Sequence, residues 1–352
     1  MSKTVTCEIS TKGRLFTSLP LAIESVLNQT KKPDNLVIIS DDETEFNPTT
    51  DPLYKKLFKF LNLKEINWYF LFGKRKGQVY NHQDALMSAN VDYIWRLDDD
   101  DIAEPNLLEK LLEDFESDNN IAAVGGIVRH DDDNFKMCPS YITGKIEDIF
   151  YNQHPQWYRH EKPDLLDVDH LYSTFVYRVD YAKRVGGYYT DLSCVSHREE
   201  TFFTYKLKAA GHRLLVDPNV CTDHLRLDSG GIRTCTSEEM WLSDEQKFVN
   251  FLVKSNVHFH NFATVVLVGG IGDHYAFKSI YPEFKAKNLD KKIMIFCAYP
   301  EVFWNLTDVT ILSVADAHNS YMNTDMYDIY KWMYEHDWKS TMCEAYKKMY
   351  NL

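Results

Sequence analysis

The sequence predicts an α/β protein with two domains. Short apolar runs alternate with helical patterns along the first two thirds of the 352 residues, which is typical of a largely parallel sheet covered by helices. The chain is longer than the size at which one hydrophobic core usually stops growing, so two domains are expected. A new strand, glycine turn and helix pattern begins near residue 262, where the second domain is predicted to start.

The strands of the first domain are predicted from its apolar runs. These runs are TVTCEIS, LVIIS, WYFLF, YIWRL, IAAVGGIV and LYSTFVYR. Between the first two, Ile23, Val26 and Leu27 recur at helical spacing after Ser18 and Pro20, residues that suit the entry turn of a helix. A βαβ unit is therefore expected at the start of the chain.

The helices later in the chain are predicted from residues typical of helix ends. Pro105 is expected to open a helix whose apolar face carries Leu107, Leu108, Leu111, Leu112 and Phe115. Gly211 occupies a position suited to the C-terminal cap of another helix, and a strand and a loop that carries His224 are expected after it.

The composition changes near residue 235, and this sets the predicted domain boundaries. Residues 1–235 form the first domain, 236–261 a linker helix, and 262–352 a small, truncated, Rossmann-like α/β domain. The last part contains the strand patterns KKIMIFCAYPEVFW and VTILSV.

Composition and charge exclude several classes of protein. No segment has the apolar length of a membrane span, and the N-terminus lacks the pattern of a secretory signal, so a cytoplasmic protein is expected. The net charge of -13 argues against a broad nucleic-acid surface. The seven cysteines are scattered without a CxxC pair, so reduced thiols are expected, with neither a disulfide framework nor a zinc site.

Four consecutive carboxylates, Asp98 to Asp101, follow the strand YIWRL. Adjacent like charges repel, so water or a cation must compensate them. A second acidic run, Asp131 to Asp133, lacks the same strand and helix context and is expected to be surface.

Polar clusters follow each of the first four strands of the sheet. They are STKGR, SDDE, GKRKGQ and DDDD, in chain order. In open α/β sheets ligands bind beyond the carboxyl ends of the strands, so these clusters are expected to meet in one crevice.

Four ordered stretches resemble family 2 glycosyltransferases of the GT-A fold, and the resemblance covers about residues 3–235. They are AIESVLNQTKKPDNLVIISDD, GKRKGQVYNHQDALMSANVDYIWRLDDDD, VGGYYTDLSCVSHREETFFTYKLKAAG and DHLR. The resemblance implies that the acidic run is a DxD motif, which holds Mn²⁺ or Mg²⁺ against the diphosphate of a nucleotide-sugar. Asp98 and Asp100 are the implied pair, with Asp99 beside the donor and Asp101 as a neighbour that could shift the register by one. His224 is the implied third metal ligand, and imidazole is an acceptable ligand for Mn²⁺.

The resemblance also implies a nucleoside pocket. Asp41 is the implied acceptor of the imide proton of the base, with Asp42 beside it. Thr11, Lys12 and Arg14 are expected to flank this pocket.

The loop GKRKGQVYN matches a family loop that ends in an asparagine, here Asn81. It offers Lys74, Arg75 and Lys76 as cations near phosphate, and the sequence does not tell which of the three points inward.

Sugar transfer needs a base for the acceptor hydroxyl. The family uses the second residue of an acidic pair that opens a helix, which corresponds to Glu200 after Glu199. With Glu200 as the base, a single in-line displacement with inversion is expected.

The sequence thus predicts a metal-dependent glycosyltransferase that moves a sugar, with UDP as carrier, to a hydroxyl of a saccharide or glycan. The acceptor pocket is expected around residues 130–170, where YNQHPQWYRHEKPD is rich in aromatic side chains. A modified DNA base remains a less favoured acceptor. A nucleotidyltransferase of similar fold and a non-catalytic sugar- or nucleotide-binding protein are the alternatives.

The turn VGGIGDHYAF and the segment after it resemble the start of family 9, heptosyltransferase-like GT-B enzymes. The match covers too little chain for a complete second site, so a docking, acceptor-orienting or oligomerisation module is expected, with Asp273 as its residue of interest. His258 and His260 have no third ligand nearby in sequence and are expected to be structural.

Overall fold

The computed structural model describes residues 3–130, 136–142, 149–153, 165–225, 227, 229–231, 237–255, 262–313 and 329–352. Its contacts divide the chain into two compact units. The first comprises Met1–Phe135 and Asp164–Val257, and the second comprises Lys136–Pro163 and His258–Leu352. The domain boundaries that we derive from composition stay a prediction.

The first unit contains most of the strands. They are β1 (Val5–Thr11), β2 (Asn35–Ser40), β3 (Asn67–Phe72), β4 (Tyr93–Arg96), β5 (Asp101–Ala103), β6 (Ile121–His130), β9 (Leu166–Asp167), β10 (Phe175–Arg178) and β11 (Arg213–His224). The strands β7 (Lys136–Ile142) and β8 (Ile149–Gln153) belong to the second unit and pair in an antiparallel ladder.

Helices connect these strands. They are α1 (Leu19–Leu27), α2 (Pro52–Leu63), α3 (Gln78–Ser88), α4 (Leu107–Asp114), α5 (Val179–Arg184), α6 (Glu199–Ala209) and α7 (Glu238–Ser255). Asp51 begins α2 because its side chain accepts the N–H groups of Leu53 and Tyr54, which otherwise lack helical partners. Gly211 follows α6 with a φ of 88°, the left-handed conformation expected of a glycine after a helix.

The sheet of the first unit has the order β3-β2-β1-β4-β10-β6-β11-β5. Strands β1 to β4 pair in parallel, so their carboxyl ends lie on one edge. Strand β10 is antiparallel to both neighbours, and β11 runs parallel to β6 but antiparallel to β5. The mixed α/β sheet confirms the predicted fold class.

The core of the first unit lies between the sheet and the helices on its face. Completely buried side chains from β1 and β4, such as Val5, Ile9 and Trp95, pack in one cluster with Ile23 of α1 and Leu108 of α4. The helical face predicted after Pro105 is buried as expected. Burial of these apolar surfaces is the main term that stabilises the unit.

The second unit contains a three-stranded parallel sheet of order β12-β13-β14. Its elements are β12 (Phe262–Leu267), α8 (Ile271–Lys287), β13 (Lys292–Cys297), a 3₁₀ helix (Pro300–Phe303), β14 (Val309–Ser313), α9 (Ile329–Glu335) and α10 (Met342–Met349). Phe277, Ile295 and Phe303 are completely buried in its own core. The strand, glycine turn and helix predicted near residue 262 are present.

Two sequence predictions need correction. His224 is the last residue of β11 and not part of a loop, because pairing with β6 and β5 extends the strand to it. Cys194 is disulfide-bonded, so the prediction of reduced thiols is wrong for this residue. Cys7, Cys221, Cys297 and Cys343 are not disulfide-bonded.

Some predictions fall beyond the described residues. They concern Asp131 to Asp133, His258, His260 and the greater part of YNQHPQWYRHEKPD. Among the helices of the described part, none combines the length and the apolar character needed to cross a bilayer.

Candidate active site

The carboxyl ends of β1, β2, β4 and β11 open into one cavity of about 290 Å³ within the first unit. The predicted site residues in its wall are Thr11, Lys12, Arg14, Asp41, Lys76, Asp98, Asp99, Asp100 and His224. Asp42, Arg75, Asn81, Glu199 and Glu200 are not part of this wall. The parallel strands thus bring together residues up to 213 positions apart, from Thr11 to His224.

Each carboxylate of the acidic run has a cationic or imidazole partner, and Asp99 and Asp100 share one. Asp98 pairs with Arg96 at 3.1 Å, Asp99 and Asp100 pair with Arg14 at 2.6 and 2.9 Å, and Asp101 contacts His224 at 2.7 Å. The four charges are therefore not a solvated loop, because side chains from three other segments compensate them.

Asp100, Asp101 and His224 could hold a metal ion, since one ligand atom from each lies within 4.8 Å of the others. Asp101 and His224 face each other in the antiparallel register of β5 and β11. Ser173 donates a hydrogen bond to Asp101 at 3.1 Å, and Thr174 donates another, so this carboxylate is held in place. Two oxygen donors and one nitrogen donor suit Mn²⁺ and Mg²⁺.

The cluster of possible metal ligands contains Asp101, whereas the family resemblance implies Asp98 at this position. Asp98 lies instead beside the guanidinium of Arg96, two residues before it. Burial raises the pKa of Asp98 to about 8, although Arg96 acts in the opposite direction. The cluster thus keeps Asp100 and His224 of the implied metal ligands and contains Asp101 in place of Asp98, and the ligand set stays a prediction.

Positive charge near the cluster comes from protein groups. Burial alone would lower the pKa of His224, but the carboxylates of Asp101 and Asp100 raise it to about 9. Arg14 is only 6% exposed and bridges Asp99 and Asp100. The guanidinium of Arg14 and the imidazole of His224 thus lie in direct contact with carboxylates of the acidic run.

Asp41 lines the cavity directly after β2. It is 3% exposed, and its Oδ2 accepts the N–H of Gly77 at 2.8 Å. Its Oδ1 is buried and has no hydrogen-bond partner among the described residues. Burial raises the pKa of Asp41 against the lowering effect of the Gly77 N–H. A buried carboxylate oxygen without a partner is a ready acceptor for a donor on a ligand.

Asp42 and Asn81, which are also predicted site residues, hydrogen-bond to other protein groups near the end of β1. Asp42 accepts the N–H of Gly13 at 2.6 Å, which fixes the loop after β1. Asn81 is buried and donates to Ser10 at 3.0 Å, joining α3 to the end of β1.

The three cations after β3 separate in space. Lys76 lines the cavity and donates to the carbonyl oxygen of Asp41 at 3.2 Å. Arg75 pairs with Asp84 at 3.1 Å and lies over the ring of Tyr80, on the exposed side of α3. Lys74 is exposed. Lys76 is therefore the cation of this loop that faces the cavity.

The two glutamates at the start of α6 differ in burial. Glu199 is completely buried and accepts hydrogen bonds from Arg96 at 2.6 Å and from Gln78 at 3.0 Å. Glu200 is partly exposed. Only Glu200 has the access to solvent that an acceptor molecule would need.

Other cavity residues have no strong signal in the sequence. Gln78, His82, Cys194 and Trp241 line the cavity although they belong to α3, the loop before α6, and α7. The ring of Trp241 packs against His197 with centroids 4.4 Å apart. Only the aromatic character of Trp241 could have pointed to it, and the sequence does not show that α7 reaches the cavity.

Comparisons with known proteins agree with this geometry. A family model described as glycosyl transferase family 2 matches residues 9–185. The glucosyl-dolichyl phosphate glucuronosyltransferase of Haloferax volcanii is 27% identical over 183 residues, which cover 50% of this chain and 52% of the relative. The chain therefore spans about half the length of the curated relative it matches.

Two solved structures are similar to this chain at low sequence identity. TarS of S. aureus is 13% identical with a TM-score of 0.50, over 72% of this chain and 40% of TarS. GalNAc-T7, solved with UDP, GalNAc and Mn²⁺, is 15% identical with a TM-score of 0.49, over 64% of this chain and 44% of that protein. The family model covers just over half of the chain, and the chain therefore belongs to glycosyl transferase family 2, with a GT-A fold.

Proposed function

We propose that the chain is a metal-dependent glycosyltransferase that moves a sugar from a UDP-sugar to a hydroxyl of a saccharide, with inversion at the anomeric carbon. The observation that carries this proposal is the cavity itself. It joins a buried acceptor oxygen on Asp41 to the acidic run and His224. The part of the cavity at Asp41 thus suits a nucleobase, and the part at the acidic run and His224 suits a cation with its diphosphate.

The nucleoside end favours uracil. The Oδ1 of Asp41 can only accept a hydrogen bond while the carboxylate is ionised. Uracil offers an imide N–H to such an acceptor, whereas the corresponding ring nitrogen of cytosine is itself an acceptor. A pairing of this kind discriminates strongly, because the wrong base leaves a buried carboxylate without a partner.

The cation end fits Mn²⁺ or Mg²⁺ held by Asp100, Asp101 and His224. When bound, the cation would neutralise the charge that develops on the departing diphosphate. Lys12, Arg14 and Lys76 add positive side chains to the same cavity, which suits an anionic donor.

Glu200 is the proposed general base. It takes the proton of the acceptor hydroxyl while the hydroxyl oxygen attacks the anomeric carbon. The bond between that carbon and the diphosphate oxygen breaks, and the nucleoside diphosphate leaves. Partial exposure of Glu200 on the first turn of α6 supports this role over Glu199.

A saccharide acceptor is supported by the aromatic ring in the cavity wall. Trp241 lines the same cavity as the acidic run, and sugar rings commonly pack on aromatic side chains.

Calorimetry with UDP tests the donor side. We expect metal-dependent binding of UDP by the wild-type chain and weaker binding of CDP. Asp41→Asn should weaken UDP binding about 10- to 100-fold, the effect of a lost charge-assisted hydrogen bond of about 1.5–3 kcal/mol. Asp84→Asn, which changes an exposed carboxylate of α3, is the matched control and should bind UDP normally. Equal affinities for UDP and CDP would contradict the nucleoside assignment.

A hydrolysis screen over several nucleotide-sugars, with and without Mn²⁺, tests the reaction. Release of UDP from one donor supports a glycosyltransferase. Release of pyrophosphate from UTP with a sugar 1-phosphate would favour the nucleotidyltransferase, and failure to bind UDP in a metal-dependent way would favour the non-catalytic alternative.

The second unit is proposed to dock, orient the acceptor or mediate oligomerisation. Its similarity to the start of family 9 enzymes remains part of this proposal. Asp273, in the first turn of α8, is 3% exposed and accepts a hydrogen bond from Tyr330 at 2.7 Å.

A further inference from the structure

A network of five ionisable side chains adjoins the cavity, and two of them, His82 and Asp98, are part of its wall. Glu8 of β1 contacts His82 at 2.7 Å, and His82 lies 3.7 Å from Glu199. Arg96 of β4 then joins Glu199 at 2.6 Å to Asp98 at 3.1 Å. The side chains of the first four are at most 1% exposed. These four side chains therefore connect the sheet to α6 in the interior, whereas the side chain of Asp98 is 27% exposed.

The network holds the residue that precedes Glu200 in the chain. Glu199, directly before it, is tied to the sheet through Arg96. On the other side of Glu199, Arg198 pairs with Glu245 of α7 through two hydrogen bonds, one of them 3.1 Å long. Glu200 thus follows two consecutive residues that are anchored to different elements.

The backbone at this helix start is strained. Arg198 has a φ of 62°, in the left-handed region, and its side chain does not cap α6. Ser196, two residues earlier, has a φ of 52°. Such conformations persist in non-glycine residues only where the surrounding contacts hold them, so the direction of α6 depends on the ion pairs at its start.

The network is not arranged for stability alone. The Nε and Nη1 of Arg96 and the Oε2 of Glu199 are buried without hydrogen-bond partners among the described residues. A buried ion pair with unsatisfied groups is generally less stabilising than well-packed apolar side chains of similar volume. A guanidinium that contacts both Asp98 and Glu199 through one nitrogen does, however, fix the distance between the acidic run and the start of α6.

We infer that Arg96 is a positioning residue, which sets the position of Glu200 relative to the acidic run by holding Glu199. This inference rests on the proposed function, in which Glu200 is the base. Glu199 accordingly acts through its contact with Arg96, and it does not touch the acceptor.

The test compares three variants in the full-length chain. Arg96→Lys keeps the charge but cannot bridge two carboxylates in the same planar geometry. The double variant Arg96→Met/Glu199→Gln removes both charges together, so no lone buried charge remains at this contact. Arg178→Met is the matched control, because Arg178 lies at the other end of the same pair of strands and contacts the carbonyl oxygens of Ile121 and Phe115.

Turnover is measured with the nucleotide-sugar that the wild-type chain hydrolyses fastest, and binding with UDP and Mn²⁺. We expect kcat to fall about 100-fold in the double variant, the effect of displacing a reacting group by about 1 Å, and about 10-fold in Arg96→Lys. The KM for the donor and the Kd for UDP should stay within threefold of wild type. Arg178→Met should keep its kcat.

Hydrogen exchange supplies a readout that does not need activity. Amides of residues 199–203 should exchange faster in the double variant than in wild type or Arg178→Met. A folded double variant with wild-type kcat, or with unchanged exchange at the start of α6, would overturn the inference. A wild-type chain that neither binds UDP nor hydrolyses any donor, or a Glu200→Gln variant with normal kcat, would instead refute the proposed function, and the exchange experiment would still decide whether Arg96 holds α6.

Discussion

Removal of the Arg14 guanidinium leaves two buried carboxylates without their nearest cation. Arg14 lies 2.6 Å from Asp99 and 2.9 Å from Asp100, and the side chains of all three are at most 7% exposed. Arg14→Ala should therefore destabilise the first unit, and the loss should depend on pH because a carboxylate can escape repulsion by taking a proton.

The size of the loss follows from the pKa of Asp99. Burial raises this pKa from 3.8 to about 6 even with Arg14 present, which lowers it. Without Arg14 the folded-state pKa rises further, so at pH 7.5 the extra cost from Asp99 reaches about 1.36 × (7.5 − 6), or about 2 kcal/mol. A similar cost from Asp100 gives about 3–5 kcal/mol in total, the usual cost of breaking a buried ion pair.

The sign fixes the pH range. Ionisation of a carboxyl group whose folded-state pKa is raised destabilises the folded state. The difference between Arg14→Ala and wild type should therefore be small near pH 5, where Asp99 is protonated in both folded proteins, and should grow as pH rises above about 6.

Calorimetry in EDTA at pH 5 and pH 7.5 measures this difference. For a unit of this size the midpoint at pH 7.5 should fall by about 6–20 °C. Mn²⁺ should recover more of the midpoint in Arg14→Ala than in wild type, since it replaces the missing charge. Arg75→Ala, which breaks an exposed ion pair, is the control and should cost less than about 1 kcal/mol. A shift below 2 °C, or equal shifts at the two pH values, would refute the reasoning.

Three further predictions concern other carboxylates of the first unit. Burial alone would raise the pKa of Glu245, but hydrogen bonds from His197 and Arg198 lower it from 4.5 to about 2. Glu245→Gln should therefore reduce the free energy of unfolding by about 1–3 kcal/mol above pH 5. This difference from wild type should vanish as pH falls towards 2. Burial and neighbouring carboxylates raise the pKa of Asp114 from 3.8 to about 7, so Asp114→Asn should stabilise the protein by about 1 kcal/mol above pH 7 and have little effect below pH 4. Asp101→Asn should weaken Mn²⁺ binding at least 10-fold in calorimetric titration, because a ligand oxygen of the cluster loses its charge.

Each of these three predictions has a measurement and an outcome that would contradict it. Urea unfolding across pH measures the first two, and a Glu245→Gln loss that persists at pH 2 would contradict the assigned pKa. Asp114→Asn less stable than wild type at pH 8 would show that its carboxylate has a partner. For the metal, Asp98→Asn is the matched control, and a larger loss of Mn²⁺ affinity there than in Asp101→Asn would restore the pair implied by the family resemblance.

The sequence predicted the fold and the general location of the candidate site because both depend on local patterns. Apolar runs identify β1 to β4, and the carboxyl ends of parallel strands necessarily meet at one edge. Asp41 and the acidic run could therefore be assigned to one crevice before any distance was known.

The details of the site depend on contacts between distant segments, which a single sequence does not contain. The short strand that starts at Asp101 pairs with β11, and this pairing brings Asp101 to His224. The burial of Glu199 depends on Arg96, 103 residues earlier. Trp241 and Cys194 reach the cavity because α7 packs against the loop before α6, where Asp244 accepts the N–H of Ser193.

Strands β5 and β11 place Asp101 and His224 directly across from each other, at the outer end of the eight-stranded path. Displacement of one strand by a single residue would turn either side chain to the opposite face and separate the two ligand atoms. An ion bound to both side chains would therefore cross-link β5 and β11 at the edge of the sheet. Its binding would favour this register of the two strands over all others. Protection of this border from proteases should accordingly report ion loading even in a chain that has no sugar to transfer.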